Sequence, residues 1–149
     1  MKIVSILVLA LALVALASTC IAFTPTSDDT AWKTAVINDS AVIKSDVDKM
    51  NKARLDMSIE SIHKYSKQLA EDAGKALLKS QTYNVSTELQ NAKDLYEQGL
   101  SSYKKGADRI STTLNPTRSN AGWVGVDRGR NDVDQATQEM TTIFSVSIQ

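Results

Sequence analysis

The chain is poor in cysteine, histidine, glycine, proline and aromatic side chains, and it lacks an excess of either charge. Among 149 residues there are one Cys, one His, six Gly and two Pro. A single cysteine excludes a disulfide scaffold and any multi-thiolate metal site. A single histidine leaves a zinc enzyme or a Ser/His/Asp catalyst short of parts. So little glycine and proline excludes a collagen-like or low-complexity chain. With 17 basic and 17 acidic residues, there is no general attraction to nucleic acid or anionic lipid. The GxxxxGK[ST], HExxH, GxSxG and CxxC patterns are also absent. These gaps argue against catalysis and predict no cofactor and no metal.

What is present begins with an apolar run. Met1-Lys2 precedes a nearly unbroken apolar stretch over Ile3–Phe23. A basic start, an apolar stretch and small residues near its end describe a secretory signal peptide. Ala15-Leu16-Ala17 and Cys20-Ile21-Ala22 both fit the small-x-small cleavage pattern, and cleavage near Ala22 is favoured. The domains are therefore 1–22 as signal peptide and 23–149 as an extracytoplasmic body. An uncleaved anchor over residues 3–23 is the alternative, since such a run is long enough to cross a bilayer. Lipidation of Cys20 fits less well, because Thr19 directly before it matches a lipoprotein signal poorly. Either way the body is secreted or extracytoplasmic, and membrane contact comes only through the N-terminal segment. Asn38-Asp39-Ser40 and Asn84-Val85-Ser86 are acceptor patterns for N-linked sugar in that compartment.

The body reads as helix. From Ser27 to Ser80 there is no proline and one glycine, and apolar residues recur at helical spacing. Trp32, Val36, Ile43, Val47, Met50 and Met57 form one row; Leu55, Ile59, Ile62, Leu69, Ala73, Ala76 and Leu77 form another. The stripe is wide enough to need more than one partner helix. Ser27 is the expected N-cap, with Asp28 and Asp29 in the first turn. Asn38–Ser40 is the expected weak point, because such side chains compete for backbone hydrogen bonds.

The second seam is cleaner: Val85, Leu89, Ala92, Tyr96, Leu100, Tyr103, Ala107, Ile110 and Leu114. Its period is that of a straight helix, which predicts a globular bundle rather than a coiled-coil rod. Asn115-Pro116 ends it. Residues 115–130, with Gly122, Gly125 and Gly129, read as a loop. A last helix restarts at Asn131-Asp132, with Val133, Ala136, Met140, Ile143 and Val146 on one face. The predicted fold is all-α: an antiparallel three- or four-helix bundle with one very long helix, after an N-terminal hydrophobic signal helix.

Few residues carry chemistry. His63 reads as a boundary histidine, and the acidic pairs Asp28/Asp29, Glu71/Asp72 and Asp132/Asp134 read as solvated. The 115–130 segment is where a ligand would be sought. Arg118, Arg128 and Arg130 surround Trp123, and arginine forks suit carboxylates, phosphates or sulfated sugars. The plainer expectation is that Trp123 plugs the open end of the bundle. The predicted function is an exported, non-catalytic bundle that contacts another protein or an envelope component, with oligomerisation open. The alternative is an extracytoplasmic bundle that binds a small anionic or lipid-like ligand.

Overall fold

The structure is a computed structural model that describes residues 23–113 and 116–146, without the side chains of 116–118. The signal segment and Cys20 lie outside the described residues. Four helices follow one another: α1 Ser27–Leu55, α2 Ile59–Ser80, α3 Thr87–Ser111 and α4 Pro116–Val146. Among the described residues there is no strand.

α1 is capped by Thr26, one residue before the expected Ser27. Thr26 accepts the Asp29 N–H at 3.1 Å, and the Asp29 carboxylate accepts the Thr26 N–H at 2.8 Å, a reciprocal capping box. The expected break at Asn38–Ser40 is absent. The Asp39 carboxylate turns outward to the Lys79 ammonium of α2 at 3.2 Å, so it does not compete for its own backbone.

The very long helix is instead cut at Asp56–Ser58. Ser58 N–H donates to Ala53 C=O at 3.0 Å and Met57 N–H to Arg54 C=O at 3.1 Å, with Met57 at φ 51°. These are the paired bonds of a Schellman ending, with methionine where glycine is usual. Ser58 then caps α2, accepting the Ser61 N–H. The two apolar rows therefore separate at this turn, and Leu55 and Met57 end up 82% and 86% exposed.

Cross-helix contacts set an up-down-up-down order. Met50 meets Ser66, and Asp39 meets Lys79, so α1 and α2 run antiparallel. Ser80 donates to Glu97 at 3.0 Å between α2 and α3. Trp32, wholly buried, donates from Nε1 to Ser80 Oγ at 3.1 Å and lies edge-on to Tyr96 at 6.3 Å. Leu69, Leu89, Leu100, Ile110 and Met140 fill the remaining core. The α3 seam is buried from Leu89 to Ile110 at the expected positions. Leu114 lies outside the described residues.

Residues 115–130 are not a loop. α3 already ends at Ser111, capped by Thr112, and Pro116 is the first residue of α4, where its fixed φ and missing N–H cost nothing. Asn131-Asp132 is accordingly mid-helix rather than a cap. The glycines are interface residues instead. A Cβ on Gly106 would stand 2.6 Å from Gly122 C=O, one on Gly129 2.8 Å from Gly99 C=O, and one on Gly125 3.0 Å from Gly106 Cα. Only Cα atoms that carry no Cβ let two helix backbones come this close. Gly99 and Gly106 on α3 thus face Gly129 and Gly122 on α4, each pair seven residues apart.

Candidate functional site

α4 packs through backbone on α3, but its other neighbour, α1, stands off. Between α1 and α4 lies a groove of about 620 Å³, within the size range of small-molecule sites. Its α1 wall is Ile37, Ser40, Ala41, Lys44, Asp48 and Asn51, and its α4 wall is Arg130, Asp134 and Thr137. Ile43, Val47, Val133 and Tyr103 provide apolar surface between them. The α1 wall follows from one helical row, residues three and four apart beside the core stripe.

Both ends are bridged. At one, the Lys33 ammonium lies 4.3 Å from the Phe144 ring centroid, and Phe23 meets the same ring edge-on at 5.7 Å. At the other, the Arg54 guanidinium lies 4.6 Å from the centroid of Trp123. Cations over aromatic faces attract through the ring quadrupole. These two contacts also fix the register: a step forward along α1 is a step back along α4. Lys44 then stands level with Asp134, and Asp48 level with Arg130, within one residue. Among the described residues no ion pair joins either couple. Opposite charges thus face each other across the groove without closing it.

The groove shields polar atoms as well. Ser40 Oγ, on its wall, and the Tyr96 hydroxyl behind it are buried without hydrogen-bond partners. Burial raises the Tyr96 pKa, the Asp39 charge adds to this, and only nearby Ser40 opposes it. The Tyr103 hydroxyl is pushed up to about 12, mainly by burial, with Arg130 pulling down and Asp134 pushing up. Both phenols are neutral donors at physiological pH.

The four residues expected to form a ligand cluster are spread along α4. Trp123 and Arg130, two turns apart, both lie on the α1 side. Trp123 is half-buried and packs against the core beside the end of α1. Arg128 is exposed. Arg118 sits in the first turn of α4, and its side chain is outside those described. Lys44 and Asp48 on α1 were missed, because only the folded register brings them level with Asp134 and Arg130; Asp134, one turn beyond Arg130 on the same helix, reads in the sequence as solvated.

Asn84 lies exposed in the link between α2 and α3, its N–H donated to Asp28 at 3.2 Å. Asn38 lies exposed on continuous α1 rather than at a break. The Asp28/Asp29 pair is a latch: Asp29, wholly buried, also accepts the Ser86 N–H at 2.8 Å. Burial pushes its pKa up most strongly, but the backbone N–H groups of Ser86 and Thr26 and the Thr26 hydroxyl outweigh this and hold it low.

A second acidic pair joins α1 to α2. Asp46 is buried with Oδ2 unpartnered, while Oδ1 accepts from Lys49 at 3.0 Å. Burial raises the Asp46 pKa; Lys49 opposes this and Asp72 adds to it. Asp72 is held low chiefly by Gln68, with Lys75 and Asp46 assisting against burial. His63 is half-buried on α2. Among the described residues no three His, Cys, Asp or Glu side chains cluster as metal ligands. Among them too, no helix is long and apolar enough to cross a membrane. No family model, no curated protein and no solved structure matches this chain.

Proposed function

We propose that this chain is an exported, non-catalytic helical bundle that works by binding at or beyond the cell envelope, with the α1–α4 groove as its binding surface. Export rests on the basic start and apolar run over Ile3–Phe23. Lack of catalysis rests on the single histidine and the missing catalytic motifs. The observation that carries the binding reading is the groove of about 620 Å³ whose facing charges do not pair. Of the two kinds of occupant, the ends favour a small ligand over a protein face. The bridges Lys33–Phe144 and Arg54–Trp123 close the slot at both ends, so a partner helix has no way to run through it.

The test is thermal unfolding against a screen of anions, zwitterions and amphiphiles, since a ligand bound to the native state raises the melting temperature. A concentration-dependent rise with one class is expected. No rise with any class, together with capture of a specific envelope protein that survives charge removal in the groove, would move the function to another surface. The mass of the natively recovered protein checks export independently. A start near residue 23 is expected; an intact N-terminus in a cytoplasmic fraction would remove the export part of the proposal.

A further inference from the structure

We propose that the groove takes a single-chain amphiphile with a zwitterionic head, and this rests on the binding reading above. The argument begins with charge. Lys44 and Arg130 present two cations, and Asp48 and Asp134 two anions, around one level of the slot. They alternate across it, each cation facing an anion on the other helix. A purely anionic head would gain Arg130 and Lys44 but lie against Asp48 and Asp134; a purely cationic head meets the reverse conflict. A head carrying both signs satisfies both couples at once.

Shape supplies the rest. Toward the Phe144 end the α1 wall turns apolar, with Ile37 and Ala41 lying exposed beyond the charged level. From Lys44 to the bridge at Lys33 the α1 wall is about 16 Å long at the helical rise per residue. That is room for an extended aliphatic chain, and the aromatic bridges at Phe144 and Trp123 bound its length. Burying apolar chain supplies the affinity, while the charged couples select the head.

The experiment uses the full chain as processed by an exporting host, titrated calorimetrically with dodecylphosphocholine below its micelle concentration. Dodecyl sulfate, dodecyltrimethylammonium and chain-free phosphocholine are run beside it. One-to-one saturable binding of dodecylphosphocholine is expected, with the two singly charged amphiphiles at least tenfold weaker and phosphocholine undetected. Ala41→Phe, which fills the slot from an exposed wall position, should weaken binding at least tenfold while leaving the melting temperature and circular dichroism unchanged. Equal binding of all three dodecyl compounds, or dodecylphosphocholine binding untouched by Ala41→Phe, overturns the zwitterionic assignment. If a peptide or simple anion binds instead and Ala41→Phe abolishes that, the head assignment falls and the groove reading stands. If Ala41→Phe affects no ligand at all, both fall.

Discussion

α4 has two neighbours and is held by them in opposite ways. Against α3 it lies backbone to backbone, with glycines on both helices and a Tyr103 ring so close that a Cβ on Gly129 would reach Cγ at 2.7 Å. Against α1, among the described residues, two cations lie over aromatic rings near its ends, with a groove between them. The difference lies in side-chain size. Where both helices give up their side chains, dispersion contact runs along the whole seam. Where α1 presents Lys44 and Asp48, and α4 presents Arg130 and Asp134, long charged chains favour staying hydrated over pairing in a cleft, because desolvation offsets their attraction. One seam is therefore a rigid joint and the other a site.

The sharpest way to break this contrast is at the tight seam. Gly106→Ala places a Cβ 2.6 Å from Gly122 C=O and 2.7 Å from Val126 N, both backbone, so α3 and α4 must move apart. Overpacking of this kind costs about 3 kcal/mol or more when backbone must shift. Chemical denaturation is expected to show that loss. A change below about 0.5 kcal/mol, well under ordinary overpacking, would mean that the seam is as pliable as the groove side.

These glycines also show where the sequence stopped being readable. The α3 seam from Leu89 to Ile110 was legible because burial there follows period alone, and so was the all-helical bundle. Gly122, Gly125 and Gly129 read as loop because their local effect is to weaken a helix by about 1 kcal/mol each. Their benefit exists only against a partner with matching gaps. The seven-residue interval shared by Gly99/Gly106 and Gly122/Gly129 was the available signal. The turn at Asp56–Ser58 gave none, since Met57 is held left-handed by the packing of α2 back on α1. The groove was half legible: Trp123 and Arg130 were singled out, but their α1 partners lie far away in sequence.

The next effect concerns how α1 is held from its other side. Asp46 carries a raised pKa from burial, with Asp72 adding to it. Its folded form binds a proton more tightly than the unfolded chain, so its contribution is full below the ordinary aspartate range and fades as pH rises through the elevated folded value. Asp29 and Asp72 are shifted down, so theirs is present above 3.8 and fades as pH falls through the lowered values. Asp46→Asn should stabilise the protein at neutral pH by on the order of 1 kcal/mol, since it removes a buried anion with an unpartnered oxygen. It should also abolish the loss on the alkaline side of the Asp46 titration while leaving the acid-side loss in place. A variant less stable than the parent at pH 7 would show that the Lys49 bond outweighs the acidic pair.

Gly74→Ala sharpens the comparison with a change of sign. Gly74 is the one glycine outside the α3–α4 seam, and a Cβ there meets only the flexible Lys104 chain at 3.6 Å. Helix propensity alone then operates, and a gain of about 0.5–1 kcal/mol is expected. Thermal denaturation of this variant beside Gly106→Ala separates propensity from close approach, because the same atom is added to a helix in both.

The smallest effect tests the loose seam. Arg54→Ala removes the cation over Trp123 at the far end of the groove. Arg54 is exposed, so the loss of stability should be only about 0.5 kcal/mol, the lower end for such contacts. Its consequence for the groove should be larger than its consequence for folding, because nothing else described bridges α1 to α4 at that end. Amide exchange along residues 43–54 should quicken while exchange along α3 stays unchanged, since the glycine seam does not depend on α1. If exchange instead quickens equally in α3, the two neighbours of α4 are energetically one unit, and the difference in how they are packed has no counterpart in how they move.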